Sequence, residues 1–435
     1  MIRKIYNLIL YTAGWGLLPL LVPRSGNDAD FRKGRFGEYG VPVSQTGEPR
    51  IWLHAASVGE VSGAIPIIQA LQQRLDGSSI TLTVATYQGF LFAQKLLLNR
   101  IQVLPFPLDF ERTINKAFNR IQPDIYVALE SEFWPNLFNL LRHQRVPTVL
   151  LNGRLSDQSA KIYTFFQPLF RPIFTQFQWL AMHSQNDLNN VLKLGARPER
   201  TVLLGSSKYE GLLAKIEPQK PAKWRIELQI PAGIPVLVGG SLRRTECIEL
   251  LEVYRDLKEI HGDLVAIFAP RHLERLPHMI QWLESQGMPF QFLSSLSGGI
   301  ERRHASIILV DRIGILFELY ALGDLVFCGG TLAPIGGHNI LEPAAWKKAV
   351  FYGPNLQKVD YEHRILTSHD ASFVVRNKTE LLRVWSYWIN HLTDLQEHGD
   401  KAFEALGKMR GVALKQVDLI ISTLPKKLHA HCSPK

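Results

Sequence analysis

Cysteine is scarce in this chain: Cys247, Cys328 and Cys432 are the only three in 435 residues, and none has a partner at metal-ligand spacing. Neither a disulfide framework nor a zinc site is indicated, and a reducing compartment fits best. No Gly-x-x-x-x-Gly-Lys-Ser/Thr stretch occurs, which leaves a P-loop NTPase unsupported. No Gly-x-Gly-x-x-Gly follows the first predicted strand either, which speaks against an oxidoreductase of the dinucleotide-binding kind. Long low-complexity tracts are missing, and with 46% apolar and 20% charged residues the composition is that of a globular protein. Acidic residues are outnumbered, 39 against 49 Lys+Arg, giving a formal charge of +10. The excess favours an anionic partner: nucleic acid, acidic lipid or a phosphorylated substrate, among which charge alone does not choose. The length exceeds what one compact core usually spans and predicts two domains.

Long apolar runs are also few. The first, Ile5 to Val22, has Arg3 and Lys4 before it and Arg24, Arg32, Lys33 and Arg35 after it, the pattern of a segment held at a membrane surface. As a helix it just reaches spanning length, but Tyr6, Asn7, Tyr11, Thr12 and two glycines dilute it. A short span and an in-plane amphipathic anchor both fit, and a hydrophobic helix packed on the domain is the third possibility. A cleaved signal peptide fits less well, because Pro-Arg-Ser-Gly stands where small residues are expected.

From Arg50 onward, short apolar runs alternate with helical segments, beginning with Ile51 to His54 and a helix through Ala64 to Leu75. Further strands are predicted at Ile80 to Ala85, Ile101 to Leu104, Ile125 to Leu129, Thr148 to Leu151, Trp179 to Met182 and Val202 to Leu204. Continuous apolar runs alternating with helices predict a parallel sheet buried on both faces. The stretch Ile216 to Lys223, with two prolines and charge, reads as a linker. A second series then predicts strands at Val236 to Val238, Leu264 to Phe268, Phe290 to Leu293, Ile307 to Val310, Leu325 to Cys328 and Val350 to Tyr352. The expected organisation is an anchor over 1–24, a Rossmann-like domain over 25–215, a second over 224–424 and a tail over 425–435. In such α/β folds ligands bind outside the carboxyl ends of the strands, here in an interdomain cleft.

The residues with chemical potential stand at predicted strand ends. Ser57-Val58-Gly59-Glu60 follows the first strand; Ser-x-x-Glu is a helix capping box, yet the position also suits a base kept ionised by a helix N-terminus. Glu130-Ser131-Glu132 follows Leu129 and precedes a helix that Pro135 opens, so these acids either start a surface helix or orient a hydroxyl or a basic partner. Lys208, in Gly205-Ser206-Ser207-Lys208, follows another strand. In the second half, Ala269-Pro270-Arg271-His272 offers a guanidinium, which matches a pair of phosphate oxygens. Asp311-Arg312-Ile313-Gly314-Ile315-Leu316 closes a further strand. Two glycine pairs, Gly329-Gly330 and Gly336-Gly337, bracket a loop that runs on through His338, Asn339, Ile340, Leu341 and Glu342 to Pro343. Strand, glycine turn and helix start together make an anion site, and Asn339 and Glu342 could hold ribose hydroxyls. A sugar nucleotide fits this set; His338 receives no catalytic role.

Taken together, Trp52 to Glu60, Glu130 to Asn136, Asn152-Gly153-Arg154-Leu155-Ser156, Pro270-Arg271-His272 and the Gly329 to Pro343 loop resemble the 3-deoxy-D-manno-octulosonic acid (Kdo) transferases of bacterial lipopolysaccharide synthesis. The resemblance runs from the N-terminal apolar segment to about residue 376. It implies an α/β fold of the GT-B glycosyltransferase class, with two Rossmann-like domains and a membrane-associated N-terminus. It further implies an inverting, metal-independent enzyme at the cytoplasmic face of the inner membrane. CMP-Kdo would be the donor, a phosphorylated lipid A precursor the acceptor, and nucleic acid no partner. By the same resemblance Glu60 would be the general base, with Glu130 and Lys208 supporting the transition state. CMP would be held by Pro270 and Arg271, by Gly314, Ile315 and Leu316, and by Asn339, Ile340, Leu341 and Glu342. Where the family shows serine-x-histidine-x-glycine-glutamate, this chain has Ser241-Leu242-Arg243-Arg244-Thr245-Glu246, and Gly205-Ser206-Ser207-Lys208 stands in place of Gly-Asn-Leu-Lys. A sugar-nucleotide epimerase of similar fold and a non-catalytic nucleotide-sugar binder are the alternative readings.

Overall fold

The computed structural model describes residues 2–21, 29–40, 47–97, 100–299 and 301–425. Arg24, on the stretch after the first apolar run, and Cys432, in the tail, lie outside them. Contacts divide the chain into two units, Met1–Gly211 with Met409–Lys435, and Leu212–Lys408.

The first unit is built on seven parallel strands: β1 (Arg50–Ala55), β2 (Ser79–Val84), β3 (Gln102–Pro105), β4 (Ile125–Leu129), β5 (Thr148–Gly153), β6 (Trp179–Met182) and β7 (Thr201–Leu203), in the order β3-β2-β1-β4-β5-β6-β7. The strands are mostly apolar because helices cover both faces; every residue of β4 is buried. The strand order reverses between β1 and β4, which places the switch point, where such sheets take ligands, at the ends of those two strands.

The second unit repeats the plan with β8 (Val236–Leu242), β9 (Val265–Pro270), β10 (Phe290–Phe292), β11 (Ile307–Leu309), β12 (Leu325–Cys328), β13 (Val350–Tyr352) and β14 (Ser372–Val374), in the order β10-β11-β9-β8-β12-β13-β14. Its switch point lies between β8 and β12. All twelve strand pairings are parallel, so each unit is a doubly wound sheet.

Two expectations are corrected by packing. The closing helix Val412–Thr423, expected in the second domain, belongs to the first unit: Ala413, Val417 and Ile420 join the core formed by Val61, Ala64 and Ile68, and the buried Gln416 donates to Asn152 Oδ1 at 2.9 Å. Deleting two methyls there is felt, because close-packed cores relax only in part. Val417→Ala is expected to cost about 1–3 kcal/mol, read as a lower midpoint in denaturant unfolding; an unchanged midpoint would contradict this packing. The second correction concerns Arg35, placed by sequence among the membrane-facing cations. It is buried, donates from Nη1 to Phe106 O at 2.6 Å, and is pushed down to about 10 by that burial.

The first helix, Ile2–Leu21, lies against the first unit along one side. Tyr6 donates to Asp109 Oδ2 at 2.9 Å, Asn136 donates to Asn7 Oδ1 at 2.7 Å, and the Tyr11 ring rests on Phe110. Ile2, Ile5, Leu8, Ile9 and Tyr11 remain exposed. Among the described residues no helix is long and apolar enough to cross a membrane.

Candidate active site

In the first unit the switch point gathers the three residues expected to be catalytic. Glu60 stands in the first turn of the helix Val58–Arg74 that follows β1. Its Oε2 accepts the Ala56 N–H at 2.7 Å, while the Ser57 hydroxyl makes no capping bond to the helix and instead points at Glu60 Oε1 at 3.4 Å. The expected capping box therefore does not form: the serine caps nothing, and the glutamate reaches one residue past it, to the Ala56 N–H instead of that of Ser57. Glu60 is only 9% exposed, and burial, reinforced by the charge of Glu130 and only partly opposed by the Ala56 N–H, pushes its carboxyl up to about 8. The expectation that the helix N-terminus keeps Glu60 ionised is thus reversed: desolvation and a like charge outweigh the dipole.

Glu130 follows β4 directly. Its φ of +55° lies in the left-handed region, which non-glycine residues adopt at a cost of about 1–3 kcal/mol and chiefly where the surrounding structure enforces it. Here the enforcement is visible, since its N–H donates to Leu151 O (3.0 Å) and its C=O accepts from Arg154 N–H (3.1 Å). Burial raises its carboxyl, against the pull of Arg154 and Lys208. Lys208 is placed by the buried Ser207, whose hydroxyl donates to Gly63 O at 2.8 Å and whose N–H donates to Asn152 Oδ1 at 3.0 Å. A Cβ on Gly59 would lie 3.9 Å from Lys208 Nζ, so the ammonium sits over the start of the Glu60 helix. Glu60, Glu130 and Lys208 thus form one electrostatic group.

Glu132 separates from its neighbour. It accepts from Trp134 Nε1 at 2.9 Å and lies 3.4 Å from Nε2 of the buried His54, whose ring stacks on Phe106. Burial works against the ionised form, but His54, Trp134 and Arg35 together hold the carboxyl below its ordinary value. Of the two acids in the Glu130 to Asn136 motif, one faces the cationic group and the other anchors the loop. Sequence reading gave no role to Arg154 or His183; burial, with Arg154 and Lys208 nearby, pushes His183 down to about 3, so it stays neutral.

In the second unit the first glycine pair is not an open anion cradle. The carboxylate of Glu246, fully buried, accepts from Arg243 N–H (2.9 Å) and Gly330 N–H (2.6 Å) on Oε2, and from Thr331 (2.9 Å), Leu332 (2.8 Å) and Ala333 (3.2 Å) N–H on Oε1. The protein's own carboxylate fills the nest expected to receive phosphate. Gly329 permits the close approach: a Cβ there would meet Ser241 O at 2.6 Å. The second pair, Gly336 (φ +98°) and Gly337 (φ +91°), carries the chain onward to Asn339, which accepts from Leu341 N–H and donates to Glu342 Oε1, both at 3.2 Å. Ile340 and Leu341 are buried beneath them, and the helix that follows, Glu342–Ala345, has only one turn. Pro270 ends β9 buried, Arg271 emerges exposed, and Gly314 (φ +96°) leads through Ile315 into the short helix Leu316–Tyr320. Among the described residues no group of His, Cys, Asp and Glu could hold a metal ion.

Known proteins match this arrangement in sequence. A family profile for 3-Deoxy-D-manno-octulosonic-acid transferase (kdotransferase) matches residues 32–211, and a 3-deoxy-D-manno-octulosonic acid transferase of Haemophilus influenzae is 28% identical over 411 residues, 93% of each chain. Over most of its length the chain is similar to the Kdo transferases. A second relative with that activity in its name, from Aquifex aeolicus, is 29% identical over 76% of this chain and 84% of its own. A bifunctional glycosyltransferase/methyltransferase of Fusobacterium nucleatum is 32% identical over 77% of this chain, which spans about half, 52%, of that protein's length. Solved structures agree on the GT-B fold: UDP-GlcNAc 2-epimerase from Neisseria meningitidis superposes with a TM-score of 0.60 over 86% of this chain and 99% of its own, at 12% identity. Anabaena HepE, solved with UDP and glucose, gives 0.57 over 87% and 100% at 17% identity. At such identities the likeness shows the fold alone. The likeness to Kdo transferases of several species supports a glycosyltransferase.

Proposed function

We propose that the chain transfers Kdo from CMP-Kdo to a hydroxyl of a phosphorylated lipid A precursor, with inversion and without a metal. The observation that carries the chemistry is Glu60: a buried carboxyl at the β1/β4 switch point, pushed up to about 8, is a stronger base than an ordinary glutamate. In this reading the acceptor hydroxyl gives its proton to Glu60 as its oxygen bonds to the anomeric carbon of Kdo. The bond from that carbon to the phosphate oxygen breaks, and CMP departs with the electron pair. Lys208 and Glu130 steady the charge that develops beside Glu60. CMP is held by Pro270 and Arg271, by Gly314, Ile315 and Leu316, and by Asn339 through Glu342. Arg271 meets the charge on departing CMP, the part a divalent ion plays elsewhere.

The exposed apolar residues Ile2, Ile5, Leu8 and Ile9 support an in-plane contact with the cytoplasmic leaflet of the inner membrane. Arg32, Lys33 and Arg112, with Lys116 paired to Glu38 at 2.6 Å, line a recess of about 600 Å³ in the same unit whose net positive charge suits anionic headgroups. The test is product mass after incubation with CMP-Kdo and a tetra-acylated lipid A precursor. A mass gain of one or more Kdo units is expected only when both are present, with the rate unchanged in EDTA. CMP release that needs no acceptor, or a rate abolished by EDTA and restored by magnesium, would contradict the proposal.

A further inference from the structure

Strands β8 and β9 lie side by side, and their last register partners are Leu242 and Pro270. Arg243 and Arg271 follow immediately, and Arg271 N–H donates to Leu242 O at 2.9 Å across the two strand ends. Adjacent strands are about 4.8 Å apart, so two guanidinium side chains start from neighbouring points on one sheet edge. The glycine loop brings an imidazole up beside them. A Cβ on Gly330 would lie 2.8 Å from His338 Cδ2, and Gly330 N–H shares Glu246 Oε2 with Arg243 N–H. Lys358 N–H donates to Gly336 O at 2.8 Å, which ties a further cation to the same loop.

Neutralisation from within is missing where it would be expected. Glu246, the carboxylate beside Arg243, spends both oxygens on backbone N–H groups. Arg243 Nε and His338 Nε2 are buried with no hydrogen-bond partner among the described residues. Buried polar atoms are nearly always paired, and the Arg243 Nε–H, a donor in every case, asks for an acceptor from outside. The cluster is also felt by His338, which burial and then Arg271, Arg243, Lys358 and His272 push down to about 4.

We infer that Arg243 and Arg271 form a paired anion subsite for a nucleoside monophosphate that carries an acidic sugar, Arg271 taking the phosphate and Arg243 the sugar carboxylate. The inference rests on the donor reading above and refines it. CMP-Kdo bears one charge on its phosphate and one on its carboxylate, two planar or near-planar oxygen pairs that guanidinium groups grip bidentately. Arg243 occupies the place where the family pattern has histidine, so this chain would hold the carboxylate with a permanent charge.

Calorimetric titration of the full chain with CMP and with CMP-Kdo tests this. The wild type is expected to bind CMP-Kdo more tightly than CMP. Arg243→Ala should weaken CMP-Kdo by about 10–100-fold, the loss of one charge-assisted hydrogen-bonded contact, and leave CMP within about threefold. Arg271→Ala should weaken both ligands. Arg243→Lys, which keeps the charge and the backbone bond to Glu246, carries the same test if the alanine variant does not fold, with an intermediate loss on CMP-Kdo alone. Equal losses on CMP and CMP-Kdo would overturn the carboxylate assignment, and no loss on either would overturn the subsite. A wild type that turns over CMP-Kdo but ignores Arg243 overturns only this inference. A wild type that binds the two ligands equally and makes no Kdo product overturns the donor reading with it.

Discussion

Replacing Glu60 by glutamine lowers the rate of Kdo transfer by about 10²–10⁴-fold, the range that a positioned general base supplies, while the protein stays folded. The amide keeps the shape of the side chain, and its oxygen still accepts the Ala56 N–H that now bonds Oε2 at 2.7 Å. What disappears is the ability to take a proton. In the free enzyme the carboxyl is pushed up to about 8 by burial and by Glu130, so the wild-type kcat/KM should climb with pH until that group is ionised and then level off. A glutamine variant with full activity, or a wild-type profile already flat from about pH 6 upward, would remove Glu60 from the base role.

The same carboxyl links stability to pH, with a definite sign. Its folded value lies above its ordinary value of 4.5, so between 4.5 and about 8 the folded state holds a proton that the unfolded chain has released. Its contribution is complete below 4.5 and is lost as pH rises through 8, which makes the first unit less stable at alkaline pH by an amount on the order of a few kcal/mol. Asp109, buried among Tyr6, Asn136 and Leu137 and pushed up to about 7, acts in the same direction. Thermal unfolding should therefore show a midpoint that falls from pH 5 to pH 8. Glu60→Gln should flatten the upper part of that fall and leave the part due to Asp109. An unchanged slope in the variant would show that the carboxyl is not held protonated.

Most strands could be read from the chain because parallel strands buried on both faces are written as unbroken apolar runs. Ile125–Leu129 and Leu325–Cys328 fall where the runs fall. One exception has a physical cause. β8 continues past the predicted end at Val238 through Gly239, Gly240 and Ser241, where glycine lets the chain pass close to its neighbours: a Cβ on Gly239 would lie 3.0 Å from Phe268, and one on Gly240 would lie within 2.6 Å of the Tyr320 ring. Ser372–Val374, an edge strand that is half exposed, was not predicted, although β7 at the other sheet's edge, with the same burial pattern, was. The helix Val412–Thr423 carries a legible buried stripe, but nothing in a stripe says which sheet it covers. Its partner lies some 264 residues away, at Asn152. In the site, the strand-end positions of Glu60, Glu130, Lys208 and Arg271 were legible from local pattern. The environment of Glu60 was not: its raised carboxyl depends on burial and on Glu130, which the fold brings from another strand. Glu246 was visible only as the last letter of an altered motif, because the groups it binds, Gly330 to Ala333, are 84 to 87 residues downstream.

Substituting Glu246 is accordingly expected to have the largest effect on folding of any single change in the second unit. Its two oxygens accept five backbone N–H groups, at 2.6 to 3.2 Å, with no exposure to water. Only a carboxylate can accept at both ends; an amide presents N–H on one side. In Glu246→Gln that NH₂ must face either Arg243 and Gly330 or Thr331, Leu332 and Ala333, donor against donor, so the conservative variant does not rescue. In Glu246→Ala all five donors lose their acceptor inside the protein. Each buried donor left unpaired costs about 1–3 kcal/mol, and since water and loop relaxation recover part of the sum, a net loss of about 3–5 kcal/mol is expected. The readout separates the units: the change should lower the unfolding midpoint of the second unit and raise amide exchange across Gly329 to Asn339, leaving exchange in β1 and β4 as in the wild type. CMP binding should fall in parallel, because Asn339 through Glu342 hang from the loop that Glu246 fixes. If Glu246→Gln melted and bound CMP like the wild type, the clasp would be ornamental to the donor loop, and the link from strand-end carboxylate to nucleotide site would be broken.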